Sequence, residues 1–325
     1  MGSAETQLTG DHVAELRKTH YNATVTWFER LNDSLLRMRV RLDDGVSDTG
    51  PALHYDAGQY TTLGMGYWEP RVEGAQAETL NEKMLQKVVK RAYSISSRLL
   101  DDDGKVVPAG DEQELEFYVA LVLQADKPPA LTPRLFGLKK GDRLHMGPRA
   151  KGAFTMSGLK PTDNLILAAT GTGEAPHNAM LSNLLASGHL GKIACVTCVR
   201  YRDDLGYTEE HRKLEAAYDN YRYIPLTTRE PENRDKDHPD YVGVTYVQDL
   251  LRADDVADRL GFELHAPDTH VFLCGNPAMI GIPRKLDHPD GRYPEPVGVV
   301  EVLEGKGFKA DEPKVPGNIH YEKYW

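Results

Sequence analysis

From residue 163 onward, short apolar runs alternate with segments of helical period, and this alternation restricts the chain to few folds. The runs are NLILAAT (164–170), KIACVTCV (192–199), YRYIPLTT (221–228) and HVFLCG (270–275). Between and after them lie helical stretches at 174–190, 208–220 (TEEHRKLEAAYDN), 244–252 (VTYVQDLLR) and 276–286 (NPAMIGIPRKL). Strands separated by helices pair in parallel, with helices covering both faces of the sheet. Residues 21–160 read differently. VTWFERL, LLRMRVRL, GQYTTLGM, KRAYSISS, LEFYVALVL and DRLHMGP are brief β-branched and aromatic runs punctuated by Gly, Pro and Asp. That pattern predicts an antiparallel barrel or sandwich. The expected organisation is therefore two-domain: a tail over 1–20, a β-barrel over 21–160, and a Rossmann-like α/β domain over 161–325. An insertion is expected near 67–90, with a helix over 78–89 (ETLNEKMLQKVV). Residues 287–316, rich in Pro, Gly and charge, are expected to wrap the surface.

Composition narrows the function classes. Of 325 residues, 40% are hydrophobic and 27% charged, which is ordinary globular usage. The net charge of −10 falls mostly in the second half, which disfavours nucleic-acid binding because phosphate contacts need clustered cations. Three cysteines (Cys195, Cys198, Cys274) are too few for a disulfide framework or an all-thiolate iron–sulfur cluster. Cys195 and Cys198 sit three apart in an apolar strand, so they face opposite sides and read as core residues rather than a redox pair. The 12 histidines show no metal-ligand spacing, and no metal is expected. No run approaches the 18 apolar residues of a membrane span, and the first residues lack an apolar secretion core. The expected setting is cytoplasmic.

Three short motifs carry the chemistry. Gly171, Thr172, Gly173, Glu174, Ala175 and Pro176 follow an apolar strand directly and open a helix. Glycines there admit a ligand close to the backbone, and a helix N-terminus favours a pyrophosphate. Glu174 is repulsive toward phosphate unless it points away. Cys274, Gly275, Asn276 and Pro277 end another strand and face the same crevice if the sheet is parallel. Arg91, Ala92, Tyr93 and Ser94 close the insertion. In a strand, Arg91 and Tyr93 share one face and Ser94 takes the other. Arg suits a pyrophosphate, Tyr a flat ring and Ser a ring nitrogen; a plain barrel strand explains the same residues. The chain ends in Tyr321, Glu322, Lys323, Tyr324 and Trp325, whose aromatics imply docking onto the core or onto a planar ligand.

Taken in order, these motifs resemble the ferredoxin–NADP+ reductase family, in its bacterial branch. Further segments look like that family: LEFYVALV, LTPRLFGLKKGD and GAFT (152–155) in the first half, VRYRDDLGY (199–207) and TTRE (227–230) in the second. The resemblance implies an antiparallel β-barrel that binds FAD, followed by a domain that binds NADP(H). It assigns the FAD pyrophosphate to Arg91, the isoalloxazine to Tyr93 beside Ala92, and flavin N5 to Ser94. Gly152, Ala153, Phe154 and Thr155 would sit near the FAD diphosphate. Thr172 would lie where flavin and nucleotide meet, with Tyr321, Tyr324 and Trp325 contacting FAD. The nucleotide would take Gly171, Thr172, Gly173, Glu174, Thr228, Cys274, Gly275, Asn276 and Pro277, with Arg200 and Arg229 on its 2′-phosphate. Ser94 and Cys274 would border the reacting atoms. A further family Arg is missing near Val244, which weakens the expected NADP preference.

The implied activity is electron exchange between NADP(H) and a one-electron carrier, ferredoxin or flavodoxin. An oxygenase reductase component or a quinone or flavin reductase would share the fold. A flavin-binding regulatory module is a third reading, which the presence of Ser94 and Cys274 disfavours. Lys83, Lys87, Lys90, Arg91 and Arg98 offer either a docking patch for an acidic carrier or a solvated helix face.

Overall fold

The computed structural model describes residues 8–47, 53–110, 112–283, 293–312 and 314–324. The chain divides into two compact units. One comprises residues 1–96 and 109–153, the other residues 97–108 and 154–325.

In the first unit, six described strands form one antiparallel sheet: β1 (Ala23–Asn32), β2 (Leu35–Leu42), β3 (Tyr60–Gly66), β4 (Val88–Ser94), β5 (Leu115–Ala120) and β6 (Arg143–Met146). Their order is β4-β3-β6-β1-β2-β5. An isolated antiparallel bridge joins Ser96, just beyond β4, to Glu116 of β5, so backbone pairing links the two outer strands. β2 shows why these residues make a sheet. Leu36, Met38 and Val40 are wholly buried, while Arg37 and Arg39 turn to the other face. Arg39 there pairs with Glu116 at 2.9 Å and covers the Trp27 ring.

Two expectations need correcting in this unit. Part of the predicted tail is a helix, Gly10–His20, which Thr9 caps at its start. Its Arg17 donates twice to Glu69, at 2.8 and 2.6 Å, and Tyr21 and Trp68 donate to the same carboxylate. A partner 52 residues away, invisible to local reading, therefore orders the segment. In the insertion only Glu82–Leu85 is helical. Asn81 caps it by accepting from Met84 N, and the β-branched pair Val88–Val89 is taken by β4, opposite Gly66 and Met65.

The second unit holds five described parallel strands: β7 (Asn164–Thr170), β8 (Ile193–Val199), β9 (Tyr221–Thr227), β10 (Thr269–Gly275) and β11 (Ile319–Lys323). Their order is β11-β10-β7-β8-β9. The chain thus runs outward from β7 through β8 to β9, then crosses back to β10 on the other flank. The point where the strand order reverses lies between β7 and β10. One face packs Ile166, Ala168, Val196, Val271 and Leu273 against Leu250, Leu251, Val299 and Leu303 of two helices, Val247–Arg252 and Val299–Glu304. Each fully buried Val, Ile or Leu among them is worth about 1.5–3 kcal/mol. Cys198 belongs to this face, while Cys195 lies on the other, near the Tyr221 hydroxyl. Burial pushes these thiols up to about 11 and about 12 respectively, so neither is a reactive thiolate at neutral pH. The segment expected to be helical over 276–286 is helical at Pro277–Ile280, and Gly281 ends it with positive φ. Its last residues, and part of the 287–316 stretch, lie outside the described residues. Among the described residues, no helix is long and apolar enough to cross a membrane.

Candidate functional site

In a doubly wound sheet, ligands bind beyond the carboxyl ends of the strands where the order reverses. In the second unit those ends belong to β7 and β10, and both carry a predicted motif. Gly171–Gly173 forms a single tight turn that passes directly into the helix Glu174–Ala186. Gly171 has a φ of +53°, and a Cβ added there would meet nothing within 4 Å. The turn therefore offers open backbone at the start of a helix. Gly173 has the opposite constraint, because its added Cβ would lie 2.3 Å from the Cys274 carbonyl oxygen. Gly275, at a φ of +122°, packs equally close to Thr170, whose hydroxyl accepts from Asn276 N at 2.7 Å. Asn276 caps the Pro277–Ile280 turn through Ala278 N. The two motifs are thus one contiguous backbone surface, and their glycines are dictated by close approach.

β11 lies beside β10 and brings the chain's end to this edge. Tyr324 N donates to the Gly275 carbonyl at 3.1 Å, and its hydroxyl donates to the Thr172 carbonyl at 3.4 Å. Tyr321, half-buried, packs against the apolar cluster. Trp325 lies outside the described residues. Cys274 is wholly buried, and burial pushes its thiol well above the ordinary range. It is a neutral thiol in β10.

The strand ends of β8 and β9 bring the predicted cations together. Arg229 N and Thr228 N both donate to the Arg200 carbonyl, at 2.8 and 3.3 Å, and the Thr228 hydroxyl donates to the Val199 carbonyl. Arg200 and Arg229 are exposed, with Arg200 Nε held by Asp204 at 3.1 Å. Near the position of the missing cation, Asn233 donates to the Gly243 carbonyl.

In the first unit the predicted residues lie along β4, in register with β3: Leu63 opposite Arg91, Thr62 opposite Ala92, Thr61 opposite Tyr93 and Tyr60 opposite Ser94. Arg91 and Ala92 are exposed, Tyr93 half-buried and Ser94 buried. On the far side of the same residues of β3, Thr61 donates to the Gly147 and Arg149 carbonyls, and Tyr60 exchanges backbone bonds with Lys151. Gly152 has a φ of +115° and sits against the Tyr60 ring. The predicted run 152–155 is split: Gly152 and Ala153 stay with this unit, whereas Phe154 packs against Phe272 and His177 in the second.

A model of the oxidoreductase NAD-binding domain family matches residues 167–285, the stretch that contains both glycine turns and both cations. Among curated relatives, the flavodoxin/ferredoxin–NADP reductase of Buchnera aphidicola (subsp. Baizongia pistaciae) is 27% identical over 275 residues, covering 85% of this chain and 90% of that protein. The flavodoxin/ferredoxin–NADP reductase of Escherichia coli K12 is 26% identical over 256 residues, covering 79% and 85%. The chain is a homologue of the ferredoxin/flavodoxin–NADP reductases. The fold agrees. A ferredoxin NADP+ reductase from Neisseria gonorrhoeae, solved with bound FAD and NADP, superposes with a TM-score of 0.65 at 18% identity, covering 93% of this chain and 98% of that one.

Sequence reasoning missed what lies behind the glycine turn. Glu174 does not face the open backbone. Its Oε1 accepts from the Thr197 hydroxyl at 3.1 Å and contacts His211 Nε2 at 2.9 Å, all three buried. His211 lies in a segment that reads as a surface helix, 37 residues further on, so nothing local signals the pair. On the same helix as Glu174, His177 is buried with neither ring nitrogen partnered among the described residues. Burial pulls it down to about 3, and it stays neutral. Among the described residues, no three His, Cys, Asp or Glu side chains are grouped to hold a metal ion.

Proposed function

We propose that this chain is a FAD-dependent oxidoreductase that exchanges electrons between NADP(H) and a one-electron carrier, ferredoxin or flavodoxin. The observation that carries the reading is the contiguous surface of the Gly171 and Gly275 turns at the point of strand reversal, flanked by Arg200 and Arg229. Open amide groups at a helix start suit the dinucleotide diphosphate. Paired guanidinium groups suit the 2′-phosphate that distinguishes NADP from NAD. Relatives of similar length named as flavodoxin/ferredoxin–NADP reductases support the same partners.

The first unit is read as the FAD domain, its bridged sheet closing as a barrel. The residues along β4 fit that cofactor: an exposed Arg for a pyrophosphate, a half-buried Tyr for a ring face and a buried Ser hydroxyl beside them. Gly152 and Ala153 border the same stretch of β3. FAD, when bound, supplies the exchange between two-electron hydride chemistry and single-electron transfer. The protein's part is to hold and orient. Arg91 neutralises phosphate charge, Tyr93 sets the plane of the ring, and Ser94 offers a hydroxyl at its edge. Thr172 stands at the strand ends that would take the nicotinamide nucleotide, with Cys274 behind it as a buried, neutral thiol. The exposed Lys83, Lys87 and Lys90 supply a positive surface for an acidic carrier.

The test is an anaerobic titration of the FAD-loaded protein. NADPH should bleach the flavin band well ahead of NADH, and oxidised ferredoxin should restore it. Bleaching by NADH alone overturns the roles of Arg200 and Arg229. Failure of both ferredoxin and flavodoxin to reoxidise the protein moves the reading to an oxygenase or quinone partner.

A further inference from the structure

Glu174 is the first residue of the helix behind the Gly171–Gly173 turn. An acidic side chain there would oppose an anionic ligand, since a helix start attracts negative charge. The side chain turns inward instead, and what it meets is a connected polar cluster inside an otherwise apolar layer. Thr197, from β8, donates to Oε1 at 3.1 Å. His211, from the helix Thr208–Ala217, contacts the same oxygen through Nε2 at 2.9 Å. The other ring nitrogen, Nδ1, lies 2.7 Å from the Tyr221 hydroxyl on β9. Burial pushes the Tyr221 phenol well above its ordinary range, so it keeps its proton. The imidazole is further fixed by stacking on Tyr223, with centroids 4.1 Å apart and planes 17° from parallel. Glu174 Oε2 and the Tyr223 hydroxyl are buried without a hydrogen-bond partner among the described residues.

The placement of these partners matters more than their number. Thr197 lies three residues before Arg200, and Tyr221 opens the strand that leads into Thr228 and Arg229. One carboxylate therefore ties the turn after β7 to the two strands that carry the cations. We propose that Glu174, acting through Thr197 and His211, is a positioning residue that holds the Gly171–Gly173 turn in register with Arg200 and Arg229, so that one dinucleotide engages its diphosphate and its 2′-phosphate together. This rests on the NADP(H) reading above. It also gives a reason for an acidic residue at this point of a phosphate turn: the charge is directed away from the ligand and used as a tether.

The tether makes a prediction that a general scaffold does not. Adenosine 2′-monophosphate reads the cations but has no diphosphate to place on the turn, whereas NADP+ needs both. Binding of each to the FAD-loaded protein is measured by calorimetry, with flavin content and thermal unfolding as folding controls. Glu174→Ala should weaken NADP+ by about ten-fold or more, the loss expected for an uncoupled buried network, and leave adenosine 2′-monophosphate within about two-fold. Glu174→Gln keeps an oxygen for Thr197 and His211 and should hold NADP+ within about three-fold. Thr197→Val, which removes one donor, should weaken NADP+ by about three-fold and serves if the alanine variant does not fold. Unchanged NADP+ affinity in the folded alanine variant, or in Thr197→Val, overturns the proposal. So does equal weakening of both ligands, and so does a glutamine variant as damaged as the alanine one. If the unsubstituted protein binds neither ligand, the NADP(H) reading itself fails, and the tether with it.

Discussion

The two units offer binding groups by opposite means. The antiparallel unit carries its candidate side chains on the flank of a strand, with Arg91, Tyr93 and Ser94 spaced along β4 in register with β3. The parallel unit presents backbone from the ends of strands, where the Gly171 and Gly275 turns are pressed together so closely that a methyl group does not fit at Gly173. The difference follows from the sheets. Parallel strands gather their carboxyl ends, and the helix starts that follow them, on one edge. Antiparallel strands have no such edge, so specificity there must come from side chains. A site made of side chains is lost one residue at a time. A site made of backbone is lost when the packing behind it changes.

The largest effect should come from the flank. Arg91→Ala removes the only cation of the 91–94 motif, and the purified protein should lose most of its flavin, with FAD affinity down by about thirty-fold or more, read from the absorbance of the bound flavin. Next is Arg229→Ala, which should lower the NADPH-over-NADH ratio of kcat/KM by about ten-fold, mostly through KM. A double reversal, Lys83→Glu with Lys87→Glu, should raise the KM for ferredoxin several-fold at low salt and leave that for NADPH unchanged, because exposed charges steer a carrier rather than hold the nucleotide. An unaltered ferredoxin KM at low salt would remove the docking role from this face. His177 bears on stability rather than on ligand binding. An unfolded histidine takes up its proton near pH 6.5, while the folded ring stays neutral until about pH 3. The unfolded state thus binds the extra proton between those values. Stability contributed by the neutral ring is complete above pH 6.5 and falls as pH drops toward 3, at up to about 1.4 kcal/mol per pH unit. His177→Leu should flatten that part of the curve in urea unfolding.

What was legible in the sequence followed the same division. In the parallel unit, strand and turn chemistry are local: NLILAAT followed by Gly-Thr-Gly, and HVFLCG followed by Asn-Pro, mark strand ends without any knowledge of the fold. The alternation of strands and helices then predicts that both ends share one edge, as β7 and β10 do. Long-range side-chain partners were not legible. The helix Gly10–His20 read as part of a tail because its anchor is Glu69, and the helix expected over 78–89 shrank to four residues because Val88 and Val89 found partners in β3. Glu174 was recognisable as misplaced beside a phosphate, but its partner His211 sits on a helix with no local mark of burial. Phe154, within the motif expected around FAD, packs on Phe272, a partner that no local pattern announces.

The most direct test of the contrast between the units is a crossed binding measurement on two single variants, Arg91→Ala and Gly173→Val. Calorimetry would follow FAD binding to the flavin-free protein and NADP+ binding to protein saturated with FAD. The account predicts that Arg91→Ala weakens FAD and leaves NADP+ near the unsubstituted value. It predicts that Gly173→Val, whose side chain must displace the Cys274 carbonyl, keeps one FAD per chain and weakens NADP+ by about thirty-fold or more. Loss of FAD from the Gly173→Val protein, or an Arg91→Ala protein that keeps FAD and loses NADP+, would contradict the assignment of the two ligands to the two units.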